Sequence, residues 1–197
     1  MWFSSNEGLN RYDGLDVKTY QNSSIDPHSL QGNYTNGIVE DGYGNLWVGT
    51  EVCLNQYIRE QDQFDFVYTT GSDGEPTNST NYPFYADSTE VWYSNSKEGI
   101  LAYNFQTDEK RIINDSFFYN RTNYMINSTF RGKNGDIWIR QETGIARLQL
   151  ASNKVSYYFS NRSDNVLGEP LEINCFYQNE AGVIRMGSGN RLLKMDE

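Results

Sequence analysis

The chain has 197 residues with 26 acidic and 16 basic side chains, which gives a formal net charge of −10. An acidic surface argues against binding to nucleic acid or to anionic membranes, because both partners require positively charged patches. The sequence contains no run of 18 apolar residues, so we expect no membrane-spanning helix and no direct membrane contact in this segment.

The first regular feature along the chain is a repeat marked by tryptophan. A tryptophan recurs every 45 or 46 residues, at Trp2, Trp47, Trp92 and Trp138. Arg185 stands 47 residues after Trp138 and takes the same place in a fifth copy. The following residues repeat as well, as "WFSSNEGLNRY" (2–12) and "WVGTEVCLNQY" (47–57) show. A period of this length indicates a repeat architecture.

Each period contains four short segments in which apolar and polar residues alternate. In the second copy they are 35–40, 45–49, 53–58 and 64–68, and polar or glycine-containing turns such as "EDGYGN" (40–45) separate them. No segment has apolar residues at spacings of three and four over ten positions, so no helix is expected. The sequence therefore predicts an all-β protein with four strands per repeat.

Four strands in about 45 residues with an aromatic signature are typical of a β-propeller blade. A β-sandwich is the alternative, but sandwiches do not repeat a tryptophan in register four times. We predict a single propeller fragment of roughly four and a half blades, with approximate limits at 1–30, 31–77, 78–121, 122–169 and 170–197. Both end blades lack one strand. Because the repeats are too few to close a ring, we expect an open arc with unpaired edge strands that are prone to pair with another copy.

Two segments carry a family resemblance. "VEDGYGNLWVGTEVCLNQY" (39–57) and "MWFSSNEGLNRYDG" (1–14) resemble the repeat of two-component-regulator propellers. Such repeats build the extracytoplasmic sensor region of hybrid two-component systems, common in gut Bacteroidetes, in which a histidine kinase follows a membrane span. The resemblance implies a periplasmic location and inputs that are typically oligosaccharides. This chain includes neither a kinase nor a span.

The tryptophans allow two interpretations. Flat indole faces can stack on sugars, but each tryptophan lies in the middle of a strand, where it would pack between blades. We therefore predict that Trp2, Trp47, Trp92 and Trp138 are core residues. Arg185, in the fifth position, is either an exposed or paired structural residue or an anion-binding residue.

An asparagine lies eleven residues before Trp47, Trp92 and Trp138, and before Arg185. The series consists of Asn36, Asn81, Asn127 and Asn174. We expect these residues on the innermost strand of each blade, where an amide can bond the backbone or water, or can face a sugar at the channel mouth. Tyr34, Tyr124 and Glu172 are weaker candidates at the same channel face, which the loops around the innermost strand would form.

No catalytic or metal-binding arrangement is predicted. His28 is the only histidine, so neither a zinc cluster nor a serine–histidine–aspartate arrangement is credible. No carboxylate pair stands out, and no glycine-rich phosphate loop follows a strand. We expect no cofactor, and we expect Cys53 and Cys175 to be unpaired, buried thiols.

These observations favour a ligand-sensing propeller fragment of a hybrid two-component protein that is not itself an enzyme. The first alternative is a propeller-repeat scaffold that binds another protein without any link to a kinase. A weaker alternative is a polysaccharide-degrading propeller enzyme. The expected partners are an oligosaccharide and further copies of the chain, which would associate through propeller faces or through open edge strands.

Overall fold

The computed structural model describes residues 1–70, 76–77, 79–95, 97–114, 126, 128–141, 143–160, 165–167 and 169–195. Every regular element in these residues is a β-strand, which confirms the all-β prediction. The chain forms two compact units, Met1–Tyr124 and Met125–Glu197. Tyr124 and Asn127, two of the predicted site residues, lie outside the described residues.

The first unit contains the strands β1 (Trp2–Ser5), β2 (Gly8–Tyr12), β3 (Val17–Tyr20), β4 (Thr35–Glu40), β5 (Leu46–Thr50), β6 (Leu54–Ile58), β7 (Gln63–Val67), β8 (Thr69–Thr70), β9 (Pro76–Thr77), β10 (Asn81–Ala86), β11 (Glu90–Asn95), β12 (Gly99–Asn104) and β13 (Glu109–Asn114). They form three antiparallel sheets in sequential strand order: sheet 1 (β1–β3), sheet 2 (β4–β7) and sheet 3 (β10–β13). Strands β8 and β9 pair separately.

The second unit contains the strands β14 (Thr129–Arg131), β15 (Ile137–Arg140), β16 (Ile145–Gln149), β17 (Lys154–Tyr158), β18 (Asn165–Leu167), β19 (Cys175–Gln178), β20 (Ile184–Ser188) and β21 (Arg191–Met195). Sheet 4 consists of β14–β18 and sheet 5 of β19–β21. Strand β18 pairs in parallel with β17, which the sequence did not predict. The four-stranded antiparallel blade is otherwise confirmed, whereas the exact blade limits stay a prediction.

The turn between β4 and β5 shows how the repeat sequence directs the chain. Oδ1 of Asp41 accepts the backbone N–H groups of Tyr43 and Asn45, at 2.9 and 3.0 Å. Gly44 has a φ of +84°, a conformation that glycine adopts without steric cost. Oδ2 of Asp41 accepts the indole N–H of Trp47 at 3.0 Å. One carboxylate therefore fixes both the predicted turn and the orientation of the tryptophan.

The sheets of the first unit pack face to face. We call the face of a sheet that carries the tryptophan or Arg185 its forward face, and the opposite face its backward face. Leu9 and Tyr20 on the forward face of sheet 1 pack against Val48 and Tyr57 on the backward face of sheet 2. Burying one such side chain contributes about 1.5–3 kcal/mol, so these interfaces dominate the stability of the unit.

The same arrangement recurs at two further sheet interfaces. On the forward face of sheet 2, Trp47 and Leu54 pack against Tyr93 and Leu101 of sheet 3. In the second unit, Trp138 and Ile145 of sheet 4 pack with residues of sheet 5, which are Phe176, Ile184, Met186 and Met195. The forward faces of sheets 1, 2 and 4 therefore each lie against the next sheet of the same unit.

Candidate functional site

The loops that lead into the first strand of a sheet lie beside the loops between its second and third strands, and we call this side the loop end. In sheet 2 this proximity follows from the pairing of Thr35, at the start of β4, with Thr50, at the end of β5. The predicted site residues Tyr34, Asn36 and Asn81 lie at the loop end of the first unit. Asn174 and Glu172 lie at the loop end of sheet 5 in the second unit.

Glu51 fixes the loop that leads into β4. Its carboxylate oxygens accept the backbone N–H groups of Asn33 and Tyr34, at 3.1 and 3.0 Å. A Cβ atom at Gly32 would lie 2.7 Å from Oε2 of Glu51, and the φ of Gly32 is +89°, so this approach requires glycine. The side chain of Tyr34 is thereby held at the surface, where the residue is 39% exposed.

The residue before this loop is also held at several points. The backbone N–H of Gln31 donates to Oδ1 of Asn55 at 2.8 Å, and the amide of Asn55 donates back to the carbonyl of Gln31 at 3.3 Å. The hydroxyl of Thr50 donates to the same carbonyl at 2.6 Å. Tyr34 therefore stands on a loop whose backbone is organised before any ligand arrives.

The two asparagines of the first unit are buried. Asn81 is 1% exposed, and its amide donates to the carbonyls of Ser79 and Thr50 while its Oδ1 accepts from Asn95 at 3.0 Å. The amide of Asn36 donates to the carbonyl of Tyr34 at 3.3 Å. The side chain of Asn81 therefore forms its hydrogen bonds with other groups of the protein, as expected if this asparagine has a structural role.

Equal spacing in the sequence does not give the asparagines equal positions in the sheets. Asn36 pairs with Gly49, two residues after Trp47, whereas Asn81 pairs with Asn95, three residues after Trp92. Successive residues of a strand point to opposite faces, so the two side chains project to opposite faces of their sheets. In sheet 5, Asn174 lies one residue before β19 and is exposed.

The first strand of sheet 3 lies close to the first two strands of sheet 2. A Cβ atom on Gly49 would lie 2.0 Å from the carbonyl oxygen of Asn81, and one on Gly37 would lie 2.7 Å from that of Pro83. Tyr82 is buried next to this contact, and its burial, with a smaller contribution from Tyr34, raises its pKa to about 12. Its phenol is therefore neutral at physiological pH.

In the second unit, Glu172 and Asn174 are both exposed. Nη1 of Arg140 donates to the carbonyls of Ile173 and Asn174, both at 3.2 Å. The backbone N–H of Asn174 donates to the carbonyl of Gly187 at 2.8 Å. The backbone beside these two candidates is fixed while their side chains face solvent.

The tryptophans differ in burial. Trp47, Trp92 and Trp138 are at most 2% exposed, whereas Trp2 is only partly buried. Arg185, in the fifth position, is exposed and lies directly opposite Lys194 in the antiparallel pairing of β20 with β21.

Arginines beside three of the tryptophans were missed by the sequence reasoning. The guanidinium groups of Arg11, Arg111 and Arg147 lie over Trp2, Trp92 and Trp138, at 5.7, 5.1 and 5.5 Å from the ring centroids. Two of them share a signal, because Arg11 and Arg147 both stand nine residues after their tryptophan. These cation–π contacts cover the indole rings and favour their structural role.

The two cysteines are free, as predicted, but only one is buried. Burial raises the pKa of the Cys53 thiol to about 12. The prediction that Cys175 is buried was wrong: Phe176, the next residue of β19, points into the core, so Cys175 points the opposite way, to solvent.

The part of the chain that the structure describes holds no group of three or more histidine, cysteine, aspartate or glutamate residues able to bind a metal ion. His28 is exposed, and its carbonyl accepts the backbone N–H of Phe64 at 2.9 Å. Among the same residues there is no helix long and apolar enough to cross a membrane.

Comparison with known families identifies one repeat. Residues 29–52 match the family described as "Two component regulator propeller". The matched segment contains β4, β5 and the loop before β4 that Glu51 holds in place. It overlaps residues 39–57, which carry the family resemblance in the sequence. A comparison with curated proteins gives no significant match.

Solved structures share the fold over nearly the whole chain. The extracellular domain of the putative hybrid two component system BT3049 from B. thetaiotaomicron matches with a TM-score of 0.69 and 22% identity, over 99% of this chain and 27% of that one. The corresponding domain of BT4673 from B. thetaiotaomicron gives 0.66 and 21%, over 99% and 28%.

A third similar structure comes from a different system. PorZ, an essential surface component of the type-IX secretion system of Porphyromonas gingivalis, gives a TM-score of 0.68 and 14% identity, over 99% of this chain and 30% of PorZ. The chain spans less than a third of the length of these three structures.

Proposed function

We propose that this chain, which carries the two-component-regulator propeller repeat, is part of the periplasmic sensor region of a hybrid two-component signalling protein and responds to oligosaccharides. The main support is the match of its fold, over 99% of its length, to extracellular domains of such systems. In this proposal the chain acts by binding and not by catalysis.

The loop end of the first unit is the proposed ligand site. Tyr34 offers a partly exposed aromatic ring on a loop that Glu51 and Asn55 hold in place. An aromatic ring can cover the apolar face of a sugar, and a loop that is already ordered loses little entropy on binding. Because Asn36 and Asn81 are buried, we assign them a supporting role behind Tyr34.

The first experiment is a binding measurement. The purified chain is titrated with a panel of neutral and acidic oligosaccharides by calorimetry, and the Tyr34→Ala variant is compared with Tyr43→Ala. Tyr43 is a suitable control because it is more exposed, at 66%, and lies in the β4–β5 turn at the other end of the strands. We expect Tyr34→Ala to weaken binding about tenfold and Tyr43→Ala to leave it unchanged. Equal effects of both variants would contradict the site.

The signalling role requires a second test. A ligand transmits a signal only if it binds two arrangements of the receptor with different affinities. The reading frame around this sequence should therefore encode further repeats, a membrane span and a histidine kinase. Independent flanking genes without a kinase would favour the scaffold function instead, and cleavage of glycans by the purified chain would favour the enzyme.

A further inference from the structure

Strand β3 is bonded to its own sheet on one side only. The backbone N–H of Asp13 donates to the carbonyl of Asp16 and closes the turn between β2 and β3. In an antiparallel ladder, pairs that bond each other alternate with pairs that do not. Counted from Asp13 and Asp16, Val17 and Thr19 fall in the second kind of pair, so their backbone N–H and C=O groups point outward. Among the residues that the structure describes, no strand pairs with this edge.

The corresponding edges of two other sheets are occupied. We call residues equivalent when their strand partners stand at the same distance after the tryptophan of the repeat. In sheet 2, Phe64 is the equivalent of Val17, and its backbone N–H donates to the carbonyl of His28 at 2.9 Å. In sheet 4, Tyr157 is the equivalent of Thr19, and it pairs with the first residue of β18. The edge of β3 thus has the backbone pattern of an edge to which this chain elsewhere adds a strand.

A cleft of about 330 Å³ lies beside β3, and we call it the edge cleft. Lys18, Thr19 and Tyr20 line it, together with residues of the loop that follows β3 and with Asp62 and Phe64. A lysine on an edge strand usually discourages pairing. Here the ammonium group of Lys18 forms an ion pair with the carboxylate of Asp62. The outward backbone groups of Thr19 therefore remain open to an incoming strand.

We propose that the edge cleft binds an extended peptide segment of a partner protein, which adds to sheet 1 as a fourth strand beside β3. Main-chain hydrogen bonds to Thr19 hold the segment, as in other cases of strand addition. The occupant is a single segment because the strand at the equivalent edge of sheet 4, β18, has only three residues. Ile25 is 91% exposed and offers an apolar contact, while the exposed carboxylate of Asp26 favours a basic residue in the segment.

This site goes beyond the proposed sugar site and does not depend on it. The edge cleft lies beside the last strand of sheet 1, whereas Tyr34 precedes the first strand of sheet 2. Neighbouring sheets of this fold contact each other through their faces, as sheets 1 and 2 do. A sheet packed on the backward face of sheet 1 would therefore leave the outer edge of β3 open.

The test uses a fluorescein-labelled peptide of sequence RTVTVR, whose threonines and valines favour an extended strand. Thr19→Pro removes the outward N–H and leaves the bonds between β2 and β3 in place. Thr19→Val is the matched control because it keeps this N–H, and both variants lose the bond from the Thr19 hydroxyl to Asn10. Fluorescence anisotropy measures binding to the purified chain. We expect Thr19→Pro to bind at least tenfold more weakly than the wild type and Thr19→Val to bind within twofold of it.

Two further measurements separate strand addition from other modes of binding. The same peptide with N-methyl groups on its four central residues keeps the side chains but cannot donate from those amides, and we expect it not to bind. If circular dichroism shows that Thr19→Pro is not folded, hydrogen exchange of the wild type replaces it, and the peptide should slow exchange of the Thr19 amide at least tenfold. Absence of binding at about 1 mM peptide, equal binding of Thr19→Pro and wild type, or unchanged exchange at Thr19 overturns the proposal.

Discussion

The hydroxyl of Tyr57 donates a 2.6 Å hydrogen bond to Oδ1 of Asp62, five residues further along the chain. Tyr103 and Asp108 repeat this bond at 2.7 Å, and both aspartates have positive φ angles, of 56° and 58°. The carboxylate of Asp62 also accepts from Tyr20 and pairs with Lys18. Burial acts to raise the pKa of Asp62, but the bonds from Lys18, Tyr20 and Tyr57 outweigh it and hold that pKa well below its usual range.

This carboxylate should make stability depend on pH. Because its folded-state pKa is lowered, its stabilisation is fully present above the unfolded-state pKa of about 3.9 and is lost as the pH falls below that value. Asp62→Asn keeps a residue that tolerates positive φ and should lower the free energy of unfolding at pH 7 by about 1 kcal/mol, since the side chain is 40% exposed.

Urea unfolding at pH 7 and at pH 3 measures this effect. The difference between wild type and Asp62→Asn should shrink at the lower pH, and Asp65→Asn, an exposed change in β7, should have little effect at pH 7. A difference that is independent of pH would contradict the assignment of Asp62.

Gly49 should not tolerate a side chain. Its Cβ atom would lie 2.0 Å from the carbonyl oxygen of Asn81, a backbone atom that cannot rotate away. We expect Gly49→Ala to destabilise the chain by about 3 kcal/mol. Gly14→Ala is the comparison, because Gly14 has a φ of +113° but a Cβ atom there would meet nothing within 4 Å, and it should cost only about 1 kcal/mol. Thermal unfolding distinguishes the two.

The indole N–H groups of Trp47 and Trp138 should contribute differently to the free energy of unfolding. That of Trp47 donates to Asp41, whereas that of Trp138 has no hydrogen-bond partner within the residues described. Replacement by phenylalanine removes the donor, so Trp47→Phe should cost about 1–2 kcal/mol more than Trp138→Phe. Chemical denaturation of both variants measures the difference, and equal losses would show that the Asp41 bond contributes nothing.

Removal of the Glu51 carboxylate should loosen the proposed ligand loop. Glu51→Ala leaves the N–H groups of Asn33 and Tyr34 without their acceptor. We expect hydrogen exchange at these two amides to accelerate at least tenfold, while the amides of β11 remain protected. Glu51→Gln retains one acceptor oxygen and should give an intermediate rate. Unchanged exchange in Glu51→Ala would show that other contacts hold the loop.

The two thiols should react at very different rates. Cys175 is exposed, whereas burial raises the pKa of Cys53 to about 12 and keeps it protonated at pH 8. Since the thiolate is the reactive form, a disulfide reagent should label one thiol per folded chain and two in denaturant. Rapid labelling of Cys53 in the folded chain would contradict the buried position.

The strands were well predicted because alternation is a local signal. The predicted segment 35–40 coincides with β4, and 53–58 differs from β6 (Leu54–Ile58) by one residue. Strand β18 was missed because it has only three residues, too few to show alternation, and because its parallel pairing with β17 is a tertiary contact. The exposure of Cys175 was missed for a related reason, since composition alone does not say which face of a strand meets the core.

The site was predicted less completely than the fold. Tyr34 was singled out in the sequence, but Glu51 was not, because its role depends on backbone N–H groups 17 and 18 residues away. Asp62 was overlooked because two of its side-chain partners, Tyr20 and Lys18, lie 42 and 44 residues away in the sequence. A tyrosine five residues before an aspartate nevertheless recurs at Tyr103 and Asp108.

The registers of Asn36 and Asn81 have a practical consequence for protein engineering. Both residues stand eleven positions before a tryptophan. In the sheets, however, Asn36 lies opposite Gly49, whereas Asn81 lies opposite Asn95. A binding residue transplanted by that count from one repeat to another would emerge on the wrong side of the sheet. Repeats of this kind should be aligned by the residue that each position pairs with on the neighbouring strand, and alignment gaps should be placed in turns and β-bulges.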